Sequence, residues 1–197
     1  GYALGRYILC GGRKMSEILY GKEAQDKLLE GVNLVANTIK GTLGPKARTV
    51  IIKHNGRPVI INDGVTIAKA IKSNDEFIQM GVELLQQVAS EAQENTGDGT
   101  TTASILAQEM CNIGVNLIRN GADPVQMKRE IDETAIQVIE NLNDMAVPIE
   151  NKESMQYVAS LAANNDNELG ELIAEVFDKV GKDGIITVEN SQTMETS

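Results

Sequence analysis

Two glycines flank an aspartate at Gly97-Asp98-Gly99, three threonines follow at Thr100, Thr101 and Thr102, and helix-forming sequence begins directly afterwards. Each residue type has a use at an anion site. The glycines allow a sharp turn and a close backbone approach. The start of a helix offers free N–H groups at the positive end of its dipole. The threonine hydroxyls and N–H groups are donors for phosphate oxygens, whereas Asp98 favours a phosphate only if a cation lies between them, which makes it a Mg²⁺ ligand candidate. The plainer alternative is that Asp98 or one threonine caps the helix. A cap needs one such residue, and four in series exceed that need.

Three further stretches carry candidate residues. Gly41-Thr42-Leu43-Gly44-Pro45 is a tight turn with Lys46 and Arg48 close by, a weak signal in isolation. Asp63-Gly64 follows a β-branched run, and a carboxylate there is a turn-former or a ligand, the turn being the simpler reading. His54 is the single histidine, placed beside Asn55-Gly56, a hairpin signal between "TVIIK" and "PVIIN". It reads as an exposed turn residue. With Cys10 and Cys111 the only cysteines, zinc and Cys-His nucleophile chemistry are disfavoured, and a reducing compartment fits. No G-x-x-x-x-G-K-[ST] sequence occurs, and Thr102 stands where a dinucleotide fingerprint wants glycine or alanine.

The elements that would hold these residues are helical. Ala24, Leu28, Val32, Val35 and Ile39 recur at steps of three and four, one face of a helix that ends at Gly41. Two long helices bracket the glycine-threonine motif. The first carries Phe77, Val82, Leu85, Val88 and Ala92, and the second Ala103, Leu106, Ala107, Met110, Ile113 and Leu117, both expected to face the core. Asp123-Pro124 opens another helix with Met127, Ile131, Ala135, Val138 and Leu142 on one face, broken at "NDMAVPIENKE". Beyond it come "SMQYVASLAA" and "ELGELIAEVFDKV", the latter with Leu169, Ile173, Val176, Phe177 and Val180 inward, then Asp183-Gly184 and the strand "IITVE". The chain of 197 residues, 42% hydrophobic, can bury a core, and its net charge of −10 argues against nucleic acid bound through a basic surface. No apolar run approaches the roughly 20 residues that span a bilayer. Residues 1–14 read as a tail without regular structure or as untranslated sequence ahead of a start at Met15.

Together "TLGPKAR", "NDGVTIAKAI", "GDGTTTASILAQEM" and "VGKDGIITVE" resemble the group I chaperonins of the GroEL type, in register from about Met15 to Ser197. The resemblance implies a mainly α fold with small β elements (α+β). Residues 15–146 would form the N-terminal half of an equatorial ATP-binding domain and 147–197 the first segment of an intermediate domain, with Pro148 at the hinge. The apical domain and the C-terminal equatorial half would lie outside this stretch, which on that view is a fragment inactive alone. The implied function is ATP-dependent assistance to the folding of unfolded polypeptides, in the cytoplasm, inside a homo-oligomeric ring, heptameric and double, with a co-chaperonin and with neither nucleic acid nor membrane as partner. Carried over by position, Thr42, Leu43, Gly44 and Pro45 would line the nucleotide pocket. Gly99, Thr100, Thr101 and Thr102 would hold phosphates, Asp98 would hold Mg²⁺, and Asp63, flanked by Asn62 and Gly64, would act beside the γ-phosphate. Asn62 stands where the family has lysine and Ala162 where it has serine. Asn62 is expected to act through its main-chain carbonyl, with K⁺ as the candidate ion. The alternatives are a group II chaperonin, which shares the GDGTTT element, an inactive oligomeric scaffold, and a small-molecule kinase, which would want a lysine-bearing phosphate loop.

Overall fold

The computed structural model describes residues 7–8, 17–44, 49–54, 57–149, 151–163 and 165–181. Pro45, Lys46, Arg48, the Asn55-Gly56 turn and the expected strand "IITVE" lie outside them. The chain forms two compact units, residues 1–132 and 133–197.

The first unit is built on helices α1 (Gly21–Lys40), α2 (Gly64–Ala70), α3 (Glu76–Thr96) and α4 (Thr100–Arg119). Strands β1 (Tyr7–Ile8) and β2 (Glu17–Ile18) pair antiparallel, so the N-terminal extension contributes a short strand. β3 (Val50–His54) and β4 (Arg57–Ile61) form the expected hairpin, with Val50 opposite Ile61 and His54 opposite Arg57. α5 (Pro124–Met145) begins in this unit and runs into the next. The mainly α architecture with small β elements matches the sequence reading.

The apolar stripes of α1, α2 and α3 close on one another. Val32, Val35, Ala36 and Ile39 meet Val65, Ile67 and Ala68 and then Val82, Leu85 and Ala89, with Val50 and Ile61 of the hairpin against them. α1 and α3 cross at Gly31 and Gly81. A Cβ on Gly31 would lie 2.7 Å from Val82 N and 2.8 Å from Gly81 Cα, so the two backbones touch there. Gln86 of α3 donates to the carbonyls of Ala68 (2.7 Å) and Ile71 (3.0 Å), satisfying the C-terminal end of α2.

α4 departs from expectation. The face read as core is largely exposed, with Leu106, Met110, Ile113 and Leu117 all in that class, while Ala107 is half-buried against the core. Its buried residues are Thr100, Ser104 and Gln108. That polar face meets Asn33 and Asn37 of α1. α5 likewise buries nothing on the face carrying Ile131, Val138 and Leu142. In the second unit, α6 (Lys152–Ala162) packs on α7 (Asn167–Val180). The close approach there is at Gly170, where a Cβ would lie 2.7 Å from Ser160 N. Gly170 and Ala174 are therefore the buried positions of α7. Ile173, Val176 and Phe177 are half-buried, and Leu169 and Val180, read as inward, are exposed.

Candidate functional site at the start of helix α4

Most helices among the described residues begin on a side-chain cap. Asp63 accepts from Thr66 N (2.9 Å) for α2, Asp75 from Phe77 N and Ile78 N for α3, Asn151 from Ser154 N for α6 and Asp166 from Leu169 N for α7. α4 does not. Its N-cap is Gly99 at φ +76°, in the left-handed region that favours glycine, and no side chain caps the turn that follows. The first backbone bond of the helix runs from Ala103 N to Gly99 O (2.9 Å), which leaves the N–H groups of the Thr100–Thr102 turn ahead of it. The capping alternative for Asp98 is thereby resolved: its Oδ1 takes Gly99 N at 2.6 Å and does not reach into the helix. Gly97, at φ +73°, closes α3, so the two helices are joined by three residues with Asp98 exposed at the apex.

One other stretch abuts this turn, and another lies at the same end of the fold. Gly64 is buried against it, and a Cβ there would lie 2.5 Å from Thr101 Oγ1 and 3.2 Å from Thr100 Oγ1. The start of α2 thus abuts the start of α4 and brings Asn62 and Asp63 beside it, both exposed. Asp63 is the cap of α2, with Oδ2 holding both the N–H and the hydroxyl of Thr66. The turn role and a ligand role are compatible, because a carboxylate has two oxygens with about four acceptor sites.

The third stretch arrives through helix pairing. Arg119 near the end of α4 pairs with Asp26 (2.7 Å) and Gln25 (2.9 Å) near the start of α1, while Gln108 and Asn112 bond Asn33 and Asn37 further along. α1 and α4 are therefore antiparallel, and the end of α1 lies at the same end of the pair as the start of α4. That end carries Thr42, whose hydroxyl donates to Ile39 O (2.7 Å), the exposed Leu43, and Gly44 at φ +83°. Pro45 lies outside the described residues.

The arrangement can cradle an anion: free helix N–H groups, hydroxyls, a glycine-lined approach, and a carboxylate at the rim for a bridging cation. Among the described residues no group of three or more His, Cys, Asp or Glu side chains could hold a metal without help. One or two carboxylates with phosphate oxygens and water is the donor set magnesium accepts, so Asp98 and Asp63 fit that ion. Sequence reasoning missed the supporting layer, Ser104, Gln108, Asn112, Asn33 and Asn37. The signal was a polar stripe at steps of four, Thr100, Ser104, Gln108 and Asn112, which an apolar periodicity search passes over.

Residues 35–197 match the TCP-1/cpn60 chaperonin family. The chain is 46% identical, over 181 residues, to "Chaperonin GroEL" from Methanospirillum hungatei, an alignment covering 92% of this chain and 34% of that protein. Its fold is similar to the chaperonin gp146 from the bacteriophage EL 2 (Pseudomonas aeruginosa), crystallised in the presence of ATP-BeFx in two crystal forms. Each has a TM-score of 0.68, at 28% and 27% identity, covering 82% of this chain and 28–29% of gp146. The chain belongs to the TCP-1/cpn60 chaperonin family. Its likeness to GroEL puts it on the group I side, and its helical unit is of the equatorial-domain kind. It spans about a third of the length of the curated relative it matches.

Proposed function

We propose that this chain is the nucleotide-binding part of an ATP-hydrolysing chaperonin, with the phosphates seated on the open first turn of α4. The observation that carries the reading is the start of α4 on a left-handed glycine without a side-chain cap, with Asp98 at its rim, where the adjoining α2 and α3 start on the Asp63 and Asp75 caps. A chaperonin relative crystallised with ATP-BeFx supports it.

In this reading Gly99, Thr100, Thr101 and Thr102 bind and orient phosphate oxygens, and Gly64 keeps the approach clear. Thr42, Leu43, Gly44 and Pro45 form the opposite wall. Asp98 holds Mg²⁺, which neutralises phosphate charge when bound, and Asp63 positions the attacking water. Phosphoryl transfer responds mainly to such placement and charge neutralisation. Asn62 contributes its main-chain carbonyl, with K⁺ as its ion. Residues 15–146 and 147–197 form the equatorial and intermediate segments, and the whole cytoplasmic subunit assembles into a homo-oligomeric ring, heptameric and double. The ring takes unfolded polypeptides with a co-chaperonin and hydrolyses ATP. Turnover belongs to the whole subunit. The 197 residues alone are expected not to hydrolyse ATP, because α4 and α5 expose apolar faces that a complete domain would cover.

Titrating the full-length protein with ATP, with and without Mg²⁺, tests the reading. Binding that needs Mg²⁺ and is lost in Asp98→Ala is expected, and Mg²⁺-independent binding that survives Asp98→Ala refutes it.

A further inference from the structure

The seam between α1 and α4 is polar where a helix interface is ordinarily apolar. Gln108 is 4% exposed, and its Nε2 donates to Asn33 Oδ1 at 2.6 Å and to Asn37 Oδ1 at 3.0 Å. Asn33 and Asn112 exchange a pair of amide bonds at 3.2 and 3.0 Å. The seam is incompletely satisfied, since Gln108 Oε1 is buried with no partner among the described residues. An unpaired buried acceptor carries a desolvation penalty, and replacing both partners of a buried hydrogen bond by apolar groups of like shape is often neutral or stabilising. Stability is therefore a poor account of these amides.

Direction is a better one. Apolar contact is non-directional and survives a small slide of one helix along another. A slide by one residue is about 1.5 Å, which stretches a bond of about 2.9 Å across the seam to about 3.3 Å and tilts it by about 27°, weakening it. Fixing helix register is the best-attested use of polar groups in helix interfaces, and here Gln108 is buried, Asn33 and Asn112 are half-buried and Asn37 is exposed. The register fixes a spacing at the candidate site. Asn37 stands one turn before Thr42, and Gln108 two turns after Thr100, on antiparallel helices. Sliding α4 along α1 would change the gap between the Thr42–Gly44 wall and the Thr100–Thr102 wall.

We infer that Gln108 is a positioning residue for the phosphate site, setting through Asn33 and Asn37 the register of α1 on α4 and hence the spacing of the two walls. The inference rests on the nucleotide reading above. It also accounts for Ser104, whose hydroxyl donates to Thr100 O (2.8 Å): fully buried, it continues the same polar stripe up to the first turn.

The test uses the full-length protein and calorimetric titration with AMP-PNP and Mg²⁺. Gln108→Leu keeps side-chain size and removes the bonds. It should melt near the parent temperature, because the exposed Asn37 turns to water and Asn33 keeps Asn112, yet bind the analogue about tenfold more weakly, a loss of about 1.4 kcal/mol. Gln108→Asn, one methylene short, should weaken binding similarly, and adding Asn37→Gln should restore most of it by exchanging the two lengths. A purely structural role would move melting and leave the affinity of folded protein alone. Parent affinity in Gln108→Leu, or failure of the exchanged pair to recover binding, overturns the inference. If Asp98→Ala still loses affinity in that case, the phosphate reading stands without it, and a parent protein that binds no analogue removes both.

Discussion

Replacing Gly31 and Gly114 by alanine, one at a time, should shift stability in opposite directions. Both sit inside helices, where alanine is intrinsically better than glycine by about 0.8–1 kcal/mol. At Gly114 the new methyl would meet Met127 Cε at 3.6 Å and Sδ at 3.9 Å, ordinary van der Waals separations, so the propensity gain should be kept. At Gly31 it would meet Ile78 O, Val82 N at 2.7 Å and Gly81 Cα at 2.8 Å. These are backbone atoms with no rotamer to swing aside. Restoring contacts near 3.5 Å requires α1 and α3 to part by roughly 1 Å, and a gap of that size forfeits a quarter to a half of the dispersion attraction across it. The residues that would lose it include Val35, Val82 and Leu85, all within 1% of complete burial. Overpacking usually costs about 1–3 kcal/mol, and a backbone clash belongs at the upper end. After the propensity gain, Gly31→Ala should be about 2 kcal/mol less stable than the parent and Gly114→Ala up to about 1 kcal/mol more stable. Urea unfolding followed by circular dichroism, with amide exchange of α1 as the local readout, measures both. A Gly31→Ala protein as stable as the parent would refute the contact argument, and so would a Gly114→Ala protein destabilised by the same amount as Gly31→Ala.

Three other outcomes follow from named groups. Asp98→Ala in the full-length protein should lower ATP turnover at least about a hundredfold, the scale of losing a preorganised electrostatic group, with the circular dichroism spectrum unchanged. Wild-type turnover in that variant would remove Asp98 from the site. The Asp75 carboxyl is held below its usual range, first by the hydrogen bond from Lys27 and then by the N–H of Ile78. Its contribution is present above the unfolded value of about 4 and is lost as pH falls through the lower folded value, so Asp75→Asn should flatten the acid limb of a plot of melting temperature against pH. Burial pushes the Cys111 thiol up, and a disulfide dye at pH 8 should label it several-fold more slowly in the folded protein than in urea. Equal rates would contradict the burial.

The parts of the fold that could be read from sequence are those where a side chain's own chemistry decides its place. The α1 stripe, the Asn55-Gly56 hairpin signal, Pro124 at the start of α5 and the glycines around Asp98 all act through local backbone preference or apolar burial against the nearest neighbours. The candidate site was legible for the same reason, since Gly97, Gly99 and the threonines announce a turn entering a helix. What brings Gly64 and Thr42 to that turn was not legible from periodicity. Those approaches depend on which face of α4 meets α1, and the partners across that seam stand 70 to 80 residues apart in sequence.

α4 shows why that choice goes against the apolar count. The helix has two candidate inner faces, one with Leu106, Met110, Ile113 and Leu117, the other with Thr100, Ser104, Gln108 and Asn112. Burying the first would be worth about 1.5–3 kcal/mol for each large side chain. The described residues bury the second, and the polar face carries a buried acceptor without a partner besides. A short connection settles which face wins. Only Gly97, Asp98 and Gly99 separate α3 from α4, and with Gly64 pressed against Thr100 and Thr101 the first turn of α4 has little freedom to rotate. Rotation by half a turn to bury Leu106 would carry Thr100 and Thr101 away from Gly64 and take apart the junction with α2. The face of α4 is thus set by the Gly97–Gly99 turn at its start, and the side carrying Leu106, Met110, Ile113 and Leu117 is left exposed. Lengthening the turn by one glycine between Asp98 and Gly99 should release that constraint. Anion binding is expected to be lost, and amide exchange in the first turn of α4 should speed up more than in α1 or α3. Unchanged exchange there would mean that the Asn33, Asn37 and Gln108 seam holds the face without help from the turn.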